Sequence, residues 1–245
     1  MTIVSAAELP DFRPAPNQGG NAALYELENQ ALDPDGHVLA AMRARAPWAG
    51  RTQLDLGCGS GFWLSGYAGE AAEVIGVEPD RRLLPLAADR DPRVRVLHGS
   101  AEHIPLEDQS VDVVHARFAY FFPPGCDAGL AEVMRVLRPG GTLIVIGNDL
   151  RAGEFAELVL AAEGALVPGG GEETDAWWAA RGADRITVRS AWRFTSRADL
   201  EAVLRMEFPL KVADRWLAAH PRAVGLTNSN TLFAIGKPAG LLRAR

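Results

Sequence analysis

"QLDLGCGSGFWL", residues 53–64, joins an apolar run to a helix-compatible one through glycines at alternate positions, Gly57, Gly59 and Gly61. Glycine has no Cβ atom, so a loop of this kind can turn tightly and let a bound group approach the backbone. A helix that follows such a loop presents unpaired N–H donors and the positive end of its dipole. The stretch therefore predicts a strand, a ligand-binding loop and a helix, in that order.

Short apolar strands and helices alternate around this loop as far as about residue 150. The segments predicted as strands in this region are RTQLDLG, AEVIGVEPD, RVRVLHGSA, SVDVVHARF and GTLIVIGND. RITVRSAWRF and NTLFAIGKP supply two later strands, and Ser196 is placed to cap a helix between them. This alternation predicts an α/β fold in which a doubly wound, mostly parallel sheet carries helices on both faces.

The composition of the 245-residue chain, with 48% hydrophobic and 23% charged residues, is typical of a globular protein. A formal net charge of -6 argues against a nucleic-acid partner, because phosphate binding needs a basic face. No apolar run has the length of a membrane span, and no signal peptide is recognisable. The two cysteines, Cys58 and Cys126, are too few for a disulfide framework, so we expect a cytoplasmic protein. The five histidines lack metal-ligand spacing, so no metal site is predicted.

The glycine loop resembles the first motif of the class I S-adenosylmethionine-dependent methyltransferases, D-x-G-x-G-x-G, whose acidic position is Asp55 here. Phe62 stands where the G-x-G-x-x-G pattern of dinucleotide-binding proteins has its last glycine, which argues against a nicotinamide cofactor. Later segments resemble the same family in the same order, from GVEPD through HGSAEHIPL to EVMRVLRPGGTLIVI. The resemblance covers about residues 50–147.

This resemblance implies an enzyme with a Rossmann-like methyltransferase fold, in which the last of seven strands is antiparallel. It also implies S-adenosyl-L-methionine as the cofactor. The chain then divides into a leader with lid helices (1–46), a cofactor-binding core (47–150), acceptor-side helices with a strand (151–229), and a final strand with a tail (230–245).

Glu78, with Pro79 after it, ends the second predicted strand, and a carboxylate at that place can accept hydrogen bonds from two ribose hydroxyls. The resemblance implies that the backbone near Ser100 and Ala101 faces the adenine ring. Family members often carry an aspartate where this chain has Ser100, and Glu102 is a possible substitute for it.

The resemblance also places the segment from His115 to Arg117 near the methionine portion of the cofactor and near the acceptor. Arg117 suits a substrate carboxylate, the cofactor's carboxylate or a carboxylate of the protein. The predicted cofactor-binding residues are Asp55, Gly57, Cys58, Gly59, Gly61, Glu78, Pro79, Ser100, Ala101, Glu102, His115 and Arg117.

Methyl transfer by direct displacement needs alignment and exclusion of water, and it needs a base only if the acceptor must lose a proton early. The candidate catalytic residues are His115, Tyr120 and Asp149. His115 has the ordinary pKa of a base at neutral pH, although its position equally fits a buried structural histidine. Tyr120 lies in an aromatic run that equally fits the core, and Asn148 precedes Asp149 at the end of the fifth strand.

The acceptor pocket is predicted to come from residues 21–46 and 151–229, outside the recognised sheet motifs. The tryptophans of the second segment suit a lid over an apolar or aromatic small molecule: Trp177, Trp178, Trp192 and Trp216. We therefore expect a small-molecule methyl acceptor, no nucleic-acid or membrane partner, and a monomer or homodimer.

Three other functions remain open from the sequence alone. One is binding of S-adenosylmethionine without methyl transfer, in a cyclase-like or regulatory protein, because binding motifs and turnover are separable. The second is a nicotinamide-dependent oxidoreductase, and the third is a nucleic-acid methyltransferase. Phe62 in place of the last glycine of the dinucleotide pattern argues against the second, and the acidic net charge argues against the third.

Overall fold

One seven-stranded sheet organises the computed structural model, which describes residues 9–13, 20–163 and 171–239. Its strands are β1 (Thr52–Leu56), β2 (Glu73–Glu78), β3 (Val94–His98), β4 (Val111–Arg117), β5 (Leu137–Asn148), β6 (Asp184–Arg193) and β7 (Gly225–Gly236). They lie in the order β3-β2-β1-β4-β5-β7-β6. Strands β1 to β5 pair in parallel, whereas β7 is antiparallel to both β5 and β6. This confirms the predicted α/β sheet with an antiparallel last strand.

Helices surround the sheet. They are α1 (Ala22–Ala31), α2 (His37–Arg45), α3 (Leu64–Ala68), α4 (Leu84–Ala88), α5 (Asp127–Val136), α6 (Glu154–Glu163), α7 (Gly171–Ala179), α8 (Arg197–Glu207) and α9 (Leu210–Ala219). Helix α4 is shorter than its sequence suggests, because Pro85 has no N–H and is tolerated only in a first helical turn. Strand β7 begins at Gly225, within the segment 151–229 that was assigned to the acceptor side.

The parallel strands are apolar on both faces because each face supports its own hydrophobic cluster. Along β5, Leu143 and Val145 pack with α5, whereas Ile144 and Ile146 pack into a second cluster with α2. Side chains alternate between faces along a strand, so a continuous apolar run fills both layers. The carboxyl ends of β1, β2 and β4 are thereby fixed side by side, where they can form a site.

A third hydrophobic cluster lies at the β6 side of the molecule and joins α1, α6, α8 and α9. Helix α8 begins as predicted, because the Ser196 hydroxyl accepts a hydrogen bond from the backbone N–H of Asp199 at 3.1 Å. Trp178 and Trp216 are buried in clusters of the core, so neither forms the lid expected from the sequence. None of the helices in the described ranges is long and apolar enough to cross a membrane.

Candidate functional site

A cavity of about 530 Å³ opens at the carboxyl ends of β1, β2, β4 and β5. We call its two sides the glycine-loop wall and the helical wall. The glycine-loop wall consists of Asp55, Leu56, Gly57, Cys58, Phe62, Trp63, Glu78, Pro79, Ser100 and Ala101. The helical wall consists of Tyr25, Glu28, Asn29, Leu32, Phe155, Trp192 and Glu207. The remaining lining residues are Asp11, Phe12, Arg13, Arg117, Phe118, Ala119, Tyr120, Phe122 and Asn148.

The glycine loop needs glycine for two different reasons. Gly59 has φ +58, and a Cβ atom there would lie 2.8 Å from the Tyr25 hydroxyl of α1. Gly61 has φ +77, and a Cβ atom there would lie 2.7 Å from the Cα atom of Ala87 in α4. Gly57 lines the cavity, whereas Gly59 and Gly61 do not. The absence of a Cβ atom lets α4 pack against Gly61 and lets α1 come close to Gly59.

Glu78 at the end of β2 fixes this loop. It is 4% exposed, and its two carboxylate oxygens accept hydrogen bonds from the backbone N–H groups of Gly59 at 2.8 Å and Asp80 at 2.9 Å. A carboxylate has about four lone-pair sites, so further donors from the cavity can still be bound. Burial raises the pKa of Glu78 to about 7 against the effect of these hydrogen bonds.

Asp55 at the end of β1 is the second carboxyl group of the glycine-loop wall. Burial raises its pKa to about 6, and the nearby charge of Arg117 opposes that shift. Burial likewise raises the pKa of Cys58 well above its ordinary value, so its thiol is protonated and fits a packing role in the loop. Two acidic groups with raised pKa values at one cavity wall are typical of a functional site.

Ser100 and Ala101 line the cavity beyond β3, as the family resemblance implies. The Ser100 side chain is 3% exposed, and its hydroxyl has no hydrogen-bond partner among the described residues. Buried polar groups are normally paired, so a free hydroxyl beside a cavity is available to a ligand. Glu102 does not line the cavity, and its carboxylate instead accepts a hydrogen bond from the Tyr120 hydroxyl at 2.8 Å.

Tyr120 lines the cavity, but its hydroxyl is already engaged. It donates to Glu102 and accepts from the backbone N–H of Gly129 at 3.1 Å. Burial, with the hydrogen bond to Glu102, raises the pKa of the phenol above its ordinary value. Tyr120 therefore contributes its ring to the cavity and is poorly suited to remove a proton from an acceptor.

His115 lies outside the cavity, contrary to its expected role as a base or cofactor contact. Its ring packs edge-on against Trp48 and Tyr67, at centroid distances of 5.3 Å and 5.2 Å. Its Nδ1 atom lies 2.7 Å from the side-chain amide nitrogen of Gln53, which can donate to it. Burial lowers the pKa of His115 to about 3, so the ring is neutral. The alternative interpretation from the sequence, a buried structural histidine, describes this geometry.

Arg117, two residues further along β4, does reach the cavity. Its guanidinium carbon lies 3.7 Å from the centre of the Trp63 ring, which is close enough for a cation–π contact. Trp63 follows the glycine loop directly, so this contact orients a positive charge beside the loop. A cation held in this way can face a ligand carboxylate.

Asp149 is also outside the cavity, although it was a catalytic candidate. Its carboxylate accepts hydrogen bonds from Arg151 at 2.8 Å and from Arg185 of β6 at 3.3 Å. Arg185 also bonds Asp175, so these charges form a network across β5, β6 and α7. Asp149 therefore has a structural position, whereas its neighbour Asn148 lines the cavity.

Apart from Trp192, the residues of the helical wall were not predicted individually. Helix α1, capped by Asn21, brings Tyr25 and Glu28 to the cavity on successive turns. The backbone of Leu32 forms an isolated antiparallel β-bridge with Trp192 of β6. Of the predicted lid tryptophans, Trp192 lines the cavity. The length of α1 and its apolar residues were visible in the sequence, but its pairing with β6 and α8 depends on tertiary contacts.

Residues 54–145 match the family model described as "Methyltransferase domain". The chain is 39% identical over 142 residues to a protein of Mycobacterium tuberculosis named "Uncharacterized methyltransferase", covering 57% of this chain and 56% of that protein. It is 34% identical over 130 residues to a demethylmenaquinone methyltransferase of Clavibacter sepedonicus, covering 51% and 53% respectively. The chain thus spans about half the length of the curated relatives it matches.

Solved structures share the fold at low identity. A crystal structure of a SAM-dependent methyltransferase from Aquifex aeolicus superimposes with a TM-score of 0.52 and 15% sequence identity. The match covers 89% of this chain and 99% of the other. At this identity the comparison shows the fold alone.

Proposed function

We propose that this chain, whose core at residues 54–145 belongs to the class I S-adenosylmethionine-dependent methyltransferases, transfers a methyl group to a small-molecule acceptor. The family model supports the resemblance found in the sequence, and the names of the relatives support the expectation of an enzyme. The observation that carries the proposal is the glycine-loop wall, where the buried carboxylate of Glu78 and the unpartnered hydroxyl of Ser100 border one cavity.

The residues present fit S-adenosyl-L-methionine. Glu78 would accept from the ribose hydroxyls, the segment at Ser100 and Ala101 would face the adenine, and the backbone at Gly57 would admit the methionine portion. Arg117 offers a positive charge for the cofactor's carboxylate. When bound, S-adenosyl-L-methionine supplies a methyl group on a sulfonium sulfur, which a nucleophilic atom of an acceptor can displace.

The chain's own contribution to such a transfer is alignment and exclusion of water. Phe62, Trp63 and Phe118 give the cavity aromatic sides, and Phe155 and Trp192 face it from the helical wall. These rings favour an acceptor with an apolar or aromatic body. The name of the demethylmenaquinone methyltransferase relatives denotes a small-molecule acceptor and supports the same class.

The remaining parts of the proposal follow the sequence analysis. We infer a cytoplasmic protein that works as a monomer or homodimer without nucleic-acid or membrane partners. The described cysteines, Cys58 and Cys126, are buried free thiols, which agrees with a reducing compartment.

Calorimetric titration with S-adenosyl-L-homocysteine and, separately, with NAD tests the cofactor assignment. We expect binding of the first compound, weakened roughly tenfold or more by Glu78→Ala, the value of a charged hydrogen bond. Glu73→Ala is the matched control, because Glu73 begins the same strand and pairs with Arg95 at the surface. Preferential binding of NAD, or equal affinity in wild type and Glu78→Ala, would contradict the assignment.

Transfer is tested separately from binding. The protein is incubated with S-adenosyl-L-methionine and a panel of hydroxy- and amino-substituted aromatic compounds, and products are analysed by mass spectrometry. We expect a methylated product together with S-adenosyl-L-homocysteine. Tight cofactor binding with no methylated product across the panel would favour the cyclase-like or regulatory alternative.

A further inference from the structure

A pair of carboxyl groups, the buried Glu28 and the half-buried Glu207, lies on the helical wall, far from the glycine loop in the sequence. Glu28 is on α1 and Glu207 is the last residue of α8, and both line the cavity. Glu28 is 8% exposed, and its side chain is hydrogen-bonded to that of Glu207. Two carboxyl groups in such contact share a proton, since both cannot be ionised at close range without strong repulsion.

Apolar side chains share the helical wall with the pair, alongside Tyr25 and Asn29. Leu32, Phe155 and Trp192 belong to the same wall, and the Phe155 and Trp192 rings lie 4.8 Å apart between centroids. In the described ranges, Glu28 forms no ion pair. Of the cations that line the cavity, Arg13 is bonded to backbone carbonyls of its own segment, and Arg117 is stacked on Trp63.

Such a pair is costly to the folded protein. Burial, with the repulsion from Glu207, raises the pKa of Glu28 above its ordinary value. Apolar side chains of similar volume would pack here at least as favourably. In addition, the Oε2 atom of Glu28 is buried without a hydrogen-bond partner among the described residues. Packing therefore does not account for the pair, whereas a ligand that donates a hydrogen bond would satisfy Oε2.

We propose that Glu28 and Glu207 form the polar anchor of the methyl acceptor, with an O–H or N–H group of the acceptor donating to Oε2 of Glu28. The apolar body of the acceptor then lies against Leu32, Phe155 and Trp192. This inference rests on the proposed function, because it assigns the acceptor class for the same cavity. It selects protic acceptors such as phenols and aromatic amines over their ethers or alkylated counterparts.

The test uses the full chain saturated with S-adenosyl-L-homocysteine and two matched probes, 2-naphthol and 2-methoxynaphthalene. In the second probe a methyl group replaces the hydroxyl hydrogen that the first can donate. Calorimetry should show 2-naphthol binding roughly tenfold more tightly to the wild type. Glu28→Leu should abolish this preference, and Glu28→Gln should keep part of it, because the amide oxygen still accepts. Glu26→Leu is the control, since Glu26 lies on α1, pairs with Arg90 and does not line the cavity.

Equal affinity of the wild type for the two probes overturns the inference, as does a preference that survives in Glu28→Leu. Thermal unfolding supplies an independent measurement: a pair kept for binding leaves Glu28→Leu at least as stable as the wild type, whereas a marked loss of stability indicates a structural pair. Failure of S-adenosyl-L-homocysteine to bind would instead contradict the proposed function. The two failures are therefore distinguishable.

Discussion

The glycine-loop wall and the helical wall of the cavity are built on different principles. The first is formed by loops that directly follow strands, and its carboxylate, Glu78, is held by two backbone N–H donors. The second joins α1, α6, β6 and α8, and its carboxylate, Glu28, keeps one oxygen without a partner. Each wall keeps a polar atom without a partner, the Ser100 hydroxyl on the first and Oε2 of Glu28 on the second, but the carboxylate of Glu78 is fixed by the backbone and that of Glu28 is not.

This difference indicates how specificity for the cofactor and specificity for the acceptor can vary independently. The glycine-loop wall binds its ligand through the conformation of its backbone, which depends on glycine and not on the side chains of the helical wall. The helical wall depends on side chains such as Leu32 and Trp192, which can be replaced without altering the sheet. We therefore expect perturbations of the first wall to affect cofactor affinity and perturbations of the second, apart from Tyr25 beside Gly59, to leave it intact.

Gly59→Val should break the first wall most severely. A β-branched residue at φ +58 costs on the order of 1–3 kcal/mol, and its Cβ atom would meet the Tyr25 hydroxyl. Displacing the loop also weakens the bond from Gly59 to Glu78. We expect the affinity for S-adenosyl-L-homocysteine, measured by calorimetry, to fall roughly 100-fold or more.

Gly50→Val is the matched control for backbone strain, because Gly50 has φ +68 with no atom within 4 Å of a Cβ. It should lower stability without loss of affinity. A folded Gly59→Val protein with wild-type affinity would show that the loop does not approach the cofactor.

A pH titration should give a smaller effect at the same wall. The pKa of Glu78 is raised to about 7, so the group is mostly protonated at pH 6 and mostly ionised at pH 8. Because the ionised form accepts the ribose hydroxyls best, affinity for S-adenosyl-L-homocysteine should rise about tenfold over this interval. Stability of the free protein changes in the opposite direction. Because the folded state holds the proton more tightly, the contribution of Glu78 to the free energy of unfolding falls as pH rises towards about 7.

Glu78→Gln is the control for this titration, since the amide cannot ionise. Its affinity should be weaker and should vary less with pH. An equally steep pH dependence in Glu78→Gln would assign the titration to another group, such as Asp55 with its pKa of about 6.

Ser196→Ala should have the smallest effect and should sharpen the separation of the walls. Ser196 caps α8, which carries Glu207, and loss of a cap costs about 1 kcal/mol. Chemical denaturation should show this loss, while calorimetry shows unchanged cofactor affinity. Thr195→Ala is the control, because its hydroxyl bonds the Asp199 side chain without capping the backbone. A parallel loss of cofactor affinity would contradict the independence of the walls.

The sequence predicted the sheet and much of the glycine-loop wall because their signals are local. An apolar run, a glycine spacing and an acidic strand end each occupy a few neighbouring residues. The predicted cofactor-binding and catalytic residues that line the cavity are Asp55, Gly57, Cys58, Glu78, Pro79, Ser100, Ala101, Arg117 and Tyr120.

The positions that sequence reasoning misjudged depend on partners from distant segments. His115 is covered by Trp48 and Tyr67, and Asp149 is bonded by Arg185. No local pattern in β4 or β5 reveals those neighbours. Glu28 was missed for the same reason, since only the folded chain brings it to α8.

Helix α1 touches both sides of the cavity within one turn, through Tyr25 above Gly59 and through Glu28 beside Glu207. Residues three apart share a helix face, so the two contacts move as one rigid unit. Tyr25 is therefore where the independence of the walls ends, because a change there reaches the glycine loop as well as the acceptor side. Any coupling through this helix is reciprocal: whatever factor the nucleoside adds to acceptor affinity, the acceptor must return to the nucleoside.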